Sequence, residues 1–345
     1  MPKAYFGRKV SSMMQNRRFV LIVALICFLV MIPLAAKGVK EAVAEAESQQ
    51  LTVEMAVMQG PSGFGSVGLQ ENDGKINENT TIKIQVYPSP NEVIARLANG
   101  ELDIAALPTN VAANLYAKGV PVKVAAITGE GMLMFLTTDS SISDLSDLEQ
   151  RKINIPGAGG TPDQMTRILV SALGFDPEVD VELDYSIASP AQLAQMLIAQ
   201  KIELAVLPEP FVSMATQANA SVFPLLDMQA LWSALTGTGN YPMTVVVVSD
   251  KFVAKNGNRL PVIMDAIRDS VLWVNENPVE AGVKIEEAGI MKAAMATPAI
   301  PRCNLVFKTA TEGYEAMDTY LKILYGFDYS SIGGSVPDES FYLAY

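Results

Sequence analysis

The chain has 345 residues, half of them apolar, with 25 Lys and Arg, 37 Asp and Glu, two Cys and no His. That length accommodates two lobes with a core in each, and the apolar share excludes wholesale disorder. The missing histidine excludes Ser-His-Asp and Cys-His catalysis, His-ligated zinc and any imidazole general base.

Lys3, Arg8, Lys9, Arg17 and Arg18 precede an unbroken apolar run from Phe19 to Ala36, and Ala42-Val43-Ala44 follows as a small-x-small cleavage pattern. Residues 1–44 therefore read as an export signal. The run is also just long enough to stay as a membrane anchor. Either outcome places the remainder outside the cytoplasm, because the basic flank stays inside. Residues 1–44 hold seven of the 25 basic and one of the 37 acidic side chains, so the rest carries 18 against 36, a formal charge of −18. Such a surface repels nucleic acid and anionic membranes. Its one cysteine, Cys303, cannot form an intramolecular disulfide.

From residue 50 the pattern alternates strand and helix. Leu51–Met58 reads as a strand, and Gly60-Pro61-Ser62-Gly63-Phe64-Gly65 as a glycine-rich corner into a helix. It lacks the Gly-Lys-Ser/Thr of a nucleotide P-loop. Ile82–Tyr87 is the next strand. Then comes a twenty-residue stretch, SPNEVIARLANGELDIAALP from Ser89 to Pro108, which returns without a gap as SPAQLAQMLIAQKIELAVLP from Ser189 to Pro208. Each copy opens on Ser-Pro at a helix start, carries apolar residues at helical spacing, breaks, and ends in a short apolar strand like those of parallel sheets. Two copies do not make a solenoid; they predict two α/β lobes with equivalent strand-to-helix corners.

A helix over 109–118, strands over 122–127 and 132–137 and a polar crossing after Asp139 follow the first copy. Lys152–Ile155 leads into a second glycine-rich corner, Pro156 to Pro162, with Thr161 as N-cap and Pro162 as first helical residue. Beyond the second copy, Pro208-Glu209-Pro210-Phe211 opens a helix, a strand covers 222–226, and a helix covers 228–235. Thr236–Pro242 reads as a linker. Met243–Ser249 is the most strand-like run and returns to the first sheet. The predicted organisation is 50–138 plus 243–345 for lobe I and 139–242 for lobe II, with two crossings acting as a hinge.

In open α/β sheets ligands bind at the carboxyl ends of strands, so the corners at Gly60–Gly65, Pro108–Asn110, Gly157–Pro162 and Pro208–Phe211 would line one cleft. Gly159 belongs to the third. Their helix N-termini suit a small anion, at about 0.3–1 kcal/mol each when exposed. They serve equally as plain helix caps. Glu209 either caps its helix or accepts a ligand N–H. Phe64 and Phe211 either stack on a planar ligand or pack in a core.

Together the export signal, the Gly-Pro-Ser-Gly-Phe-Gly corner, ANGELDIAALPTNVAANL, the Gly-Ala-Gly-Gly-Thr-Pro corner and LAVLPEPFVSMA resemble extracytoplasmic substrate-binding proteins of ABC importers. The group serving sulfonates, taurine, nitrate and thiamine-precursor pyrimidines is the most similar. The resemblance implies a type II periplasmic-binding-protein fold: two Rossmann-like lobes, a two-stranded hinge and a ligand cleft between them. By motif position it implies Ser62, Gly63, Asn110, Thr161 and Glu209 as ligand-facing. It further implies a monomeric binding protein, not an enzyme, without cofactor or metal, that hands a small polar solute to a membrane permease driven by a cytoplasmic ATPase. The histidine and cysteine cluster of related pyrimidine-synthesising enzymes is missing. Two other readings stay open: a carboxylate-based lyase using Glu209 or Glu130, and a ligand sensor for a membrane partner.

Overall fold

The computed structural model describes residues 49–345 apart from Ser89 and Asp144, so the predicted export segment lies outside the described residues. The chain opens with β1 (Leu51–Met58), α1 (Pro61–Ser66), β2 (Lys75–Asn77), β3 (Thr80–Tyr87), α2 (Pro90–Ala98), β4 (Ile104–Pro108), α3 (Thr109–Ala117), β5 (Val122–Glu130) and β6 (Leu133–Thr137). It continues with β7 (Lys152–Asn154), α4 (Thr161–Ala172), β8 (Glu182–Asp184), α5 (Pro190–Ile198), β9 (Leu204–Pro208), α6 (Phe211–Ala218), β10 (Phe223–Asp227) and α7 (Met228–Thr236). The last section holds β11 (Pro242–Ser249), α8 (Asp250–Asn256), α9 (Leu260–Glu276), α10 (Pro278–Glu287), α11 (Ala293–Ala299), β12 (Leu305–Thr309) and α12 (Tyr314–Phe327).

The strands form two sheets, ordered β12-β5-β11-β4-β1-β3-β2 and β10-β6-β9-β7-β8. The two copies of the repeated stretch fold alike: α2-β4 and α5-β9 have equal lengths, and their strands share one burial pattern. Each strand occupies the matching place in its own sheet. β4 lies between parallel β1 and antiparallel β11, and β9 between parallel β7 and antiparallel β6. The sheets are therefore mixed, where the apolar runs alone predict parallel neighbours. A central strand is buried on both faces whichever way its neighbour runs, so burial cannot report direction. Only the crossings decide it.

β6 belongs to the five-stranded sheet, which moves the first crossing from Asp139 back to Gly131. The second crossing lies at Asn240–Tyr241. Between the two, Glu130 pairs with Pro242 and the Gly131 N–H donates to the Tyr241 carbonyl at 2.9 Å. Gly131 is required here. A Cβ would enter the Tyr241 ring and come within 2.7 Å of Asn240 Oδ1.

Tyr241 is fully buried and stacks on Tyr320 of α12 with centroids 5.8 Å apart, while Trp232 of α7 meets both edge-on at 5.5 and 5.7 Å. These rings join a core that runs from Leu133 and Phe135 of the second sheet to Val245 and Ile127 of the first. Both sheets accordingly fall in one compact unit, Thr52–Tyr345. Among the described residues no helix is long and apolar enough to cross a membrane.

Candidate functional site

β1, β4 and β5 end at one edge of the first sheet, where β11 and β12 begin. β7 and β9 end at the matching edge of the second, where β6 begins. The crossings sit at both edges. The corner after β4 therefore faces the corner after β7, and three predicted residues meet there. Thr161 Oγ1 donates to Asn110 Oδ1 at 3.2 Å, and Asn110 Nδ2 donates to the Gly159 carbonyl at 3.4 Å. Asn110 and Thr161 are 2% and 4% exposed. Thr109, beside Asn110, ties the hinge by donating to the Pro242 carbonyl at 2.8 Å.

This meeting depends on how α4 starts. Gly160, not Thr161, is the N-cap, and Thr161 is the first helical residue. Freed from capping, its hydroxyl reaches Asn110 at the corner after β4. Asp163 fixes the turn before the helix: its carboxylate accepts from the Gly159 N–H at 2.7 Å, from Arg167 Nε at 2.7 Å and from the Tyr185 hydroxyl at 2.7 Å. Gly159 itself adopts φ +74°, the left-handed region that glycine tolerates.

Glu209 closes the corner after β9. Its backbone N–H donates to the Met132 carbonyl at the crossing, 3.1 Å away, and its carboxylate accepts from the Ser213 N–H and hydroxyl, both at 3.0 Å. At 3% exposure, burial raises its pKa above the ordinary glutamate value, against the pull of the Ser213 donors and of Arg302. Phe211 is half-buried and packs against the core of Leu193, Leu197, Leu207 and Val212. It borders the corner without meeting Asn110.

The first corner is placed differently. Ser62 accepts from the Met58 N–H at 3.0 Å, closing the turn after β1 on itself. Gly63 is a packing glycine, since a Cβ would lie 2.7 Å from the Met58 carbonyl. Phe64 is fully buried with Val271, Val274 and Ile285 in a satellite core under α9 and α10. Its ring is core, not a stacking platform, because α1 turns it away from the sheet edge.

The profile of the NMT1-like family matches residues 64–285. The chain belongs to the NMT1-like family. Among solved structures, this NMT1-like chain is similar to an ABC transporter structure from Parabacteroides distasonis, at 28% identity and TM-score 0.73, over 85% of this chain and 99% of that one. It is similar to the periplasmic aliphatic sulphonate binding protein of Escherichia coli at 13% identity and TM-score 0.70, over 85% and 92%. A conserved Candida albicans gene product with the generic periplasmic binding protein fold aligns at 15% identity and TM-score 0.57, over 84% and 93%. No curated protein matches the chain. The NMT1-like chain has the periplasmic-binding-protein fold, as its sequence predicts.

Three residues of the junction are absent from the sequence-based set. Asp163 is one, and a Pro-Asp pair at a helix start was its signal. Gln164, 3% exposed with an unpartnered Oε1, follows on the same helix and donates to Asp328 at 3.4 Å. Tyr320 is 0% exposed, and its hydroxyl lies beside Thr161 without hydrogen-bond geometry to it. Nothing local marks Tyr320, because only the returning C-terminal helix brings it there.

Proposed function

We propose that this NMT1-like chain is the solute-binding component of an ABC-type importer, exported by its N-terminal segment, that captures a small polar organic molecule between two lobes and presents it to a membrane permease. The observation that carries this reading is the meeting of Asn110, from the corner after β4, with Thr161 and Gly159, from the corner after β7. Only a closed cleft brings them together, and a solute that touches both lobes shifts the population toward that state. The Parabacteroides and Escherichia coli structures supply the importer context.

Glu209 supports binding over turnover. Both of its oxygens are engaged by Ser213, which suits a fixed wall rather than a proton shuttle. Cross-linking in the native envelope tests the importer assignment. The expected product is a covalent adduct with an ABC permease; adducts with a receptor kinase instead, or turnover of the captured solute, would replace the assignment with a sensor or an enzyme.

A further inference from the structure

Beside the core that runs through both sheets, two smaller ones draw on different parts of the chain. One gathers Phe64, Val67, Val271, Val274 and Ile285 beside the first sheet. The other gathers Leu136, Leu193, Leu197, Leu207 and Val212 beside the second. α11 belongs to both. Its Ala296 and Ala299 are buried in the first, whereas Met295 packs against the second. Among the described residues that form this second core or pack on it, Met295 alone comes from beyond residue 222.

More than its alanines fixes α11 to the first core. Glu286, near the end of α10, accepts from the Ala293 N–H at 2.8 Å and from Lys292 Nζ at 2.8 Å, so one carboxylate ties the start of α11 to α10. The two helices also touch at Gly282, where a Cβ would lie 2.0 Å from Thr297 Oγ1. α10 and α11 therefore behave as one hairpin seated on α9. Against the second sheet, α11 lies on α6, the helix that follows the Glu209 corner. The side-chain burial there rests on Met295, which is half-buried. Both sides of this contact come from the chain itself, so it forms without a solute.

We infer that α11 is a clasp on the junction: Met295, seated on the core of the second sheet, holds α6 against the first sheet's helices and biases the chain toward the closed arrangement before any solute arrives. The inference rests on the solute-binding reading above and adds its regulation. A ligand shifts a two-state equilibrium only by its differential affinity, so a clasp that already favours the closed state lowers what the solute must supply. Release of Met295 from α6 then becomes a step in opening.

The test is small-angle scattering and hydrogen exchange on the full chain, refolded from denaturant without solute, with urea unfolding to separate opening from loss of fold. In Met295→Asp the closed arrangement would bury a carboxylate in an apolar core, so the closed population should fall about a hundredfold or more and the radius of gyration should rise. Met295→Ala should speed amide exchange over 211–218 about fivefold, because apolar cover is lost. Met295→Leu should keep wild-type values of both. Met291→Ala removes similar cover from the first core alone and should change neither. Wild-type exchange in Met295→Ala overturns the inference, whether or not Met295→Asp folds. A folded Met295→Asp with the wild-type radius overturns it as well, because Met295 then only covers α6, and so does an equal response in Met291→Ala. Each of these results leaves the solute-binding reading standing; that reading falls if chain isolated from its own envelope carries no solute.

Discussion

Asn110 and Thr161 stand fifty-one positions apart, at the starts of helices that follow strands of different sheets, and the Thr161 hydroxyl donates to the Asn110 carboxamide at 3.2 Å. The same carboxamide donates to Gly159. One side chain thus links the corner after β4 to two groups of the corner after β7.

Asn110→Ala removes both links. At about 0.5–1.5 kcal/mol per hydrogen bond, the closed state loses roughly 1–3 kcal/mol and its population relative to the open one falls about fivefold or more. Small-angle scattering is expected to show a larger radius of gyration for the variant than for wild type. An unchanged radius would mean that the aromatic cluster at the hinge holds the lobes without help.

Gly131→Ala tests the hinge itself. Its new methyl would collide with the Tyr241 ring and Asn240, so the crossing must shift. Urea denaturation should show a loss of about 1–3 kcal/mol, as for other overpacked sites. Wild-type stability would indicate that Tyr241 moves aside freely.

Glu209 makes stability depend on pH in a definite direction. Burial raises its folded-state pKa above the ordinary glutamate value, against the lowering pull of Ser213 and Arg302, so the fold favours the neutral acid. That contribution is complete below the unfolded value and is lost as pH rises through the folded one. Glu209→Gln keeps an acceptor for the Ser213 N–H and has no charge to bury. Its melting temperature should match wild type near pH 4 and exceed it at pH 7 to 8; a gap that shrinks as pH rises contradicts the assignment.

Tyr320→Phe deletes a buried hydroxyl that has no hydrogen-bond partner while keeping the ring stack with Tyr241 and Trp232. In the absence of solute the change should be neutral or stabilise by up to about 1 kcal/mol, because no bond is lost. Calorimetric melting checks this. A clear loss of stability would mean that the hydroxyl is bonded to Thr161 after all.

Much of the architecture was legible in the sequence because it is periodic. The repeat over 89–108 and 189–208 announced two lobes, and its strands took matching places in two sheets. Strand direction was not legible, since β11 and β6 reach their neighbours from a distant crossing and burial is the same either way. Asn110, Gly159 and Thr161 could be found because strand-to-helix corners carry glycine and proline punctuation. Phe64 misled because a ring beside a glycine corner has the same sequence whether α1 turns it outward or inward. Asp163 had a signal in the Pro-Asp pair at a helix start, whereas Gln164 looked like an ordinary helix residue. α8, which Ser249 caps by accepting from the Phe252 N–H at 3.2 Å, went unforeseen because it follows the strand without a break. Tyr320 carried no local signal at all.

Native mass spectrometry of the full chain, isolated from its own cell envelope, tests the central claim most directly. One small molecule per chain, released unchanged on denaturation and absent or depleted in Asn110→Ala, is the predicted result. A chain that carries no solute under any growth condition, or that releases a chemically altered product, would contradict solute capture between the lobes.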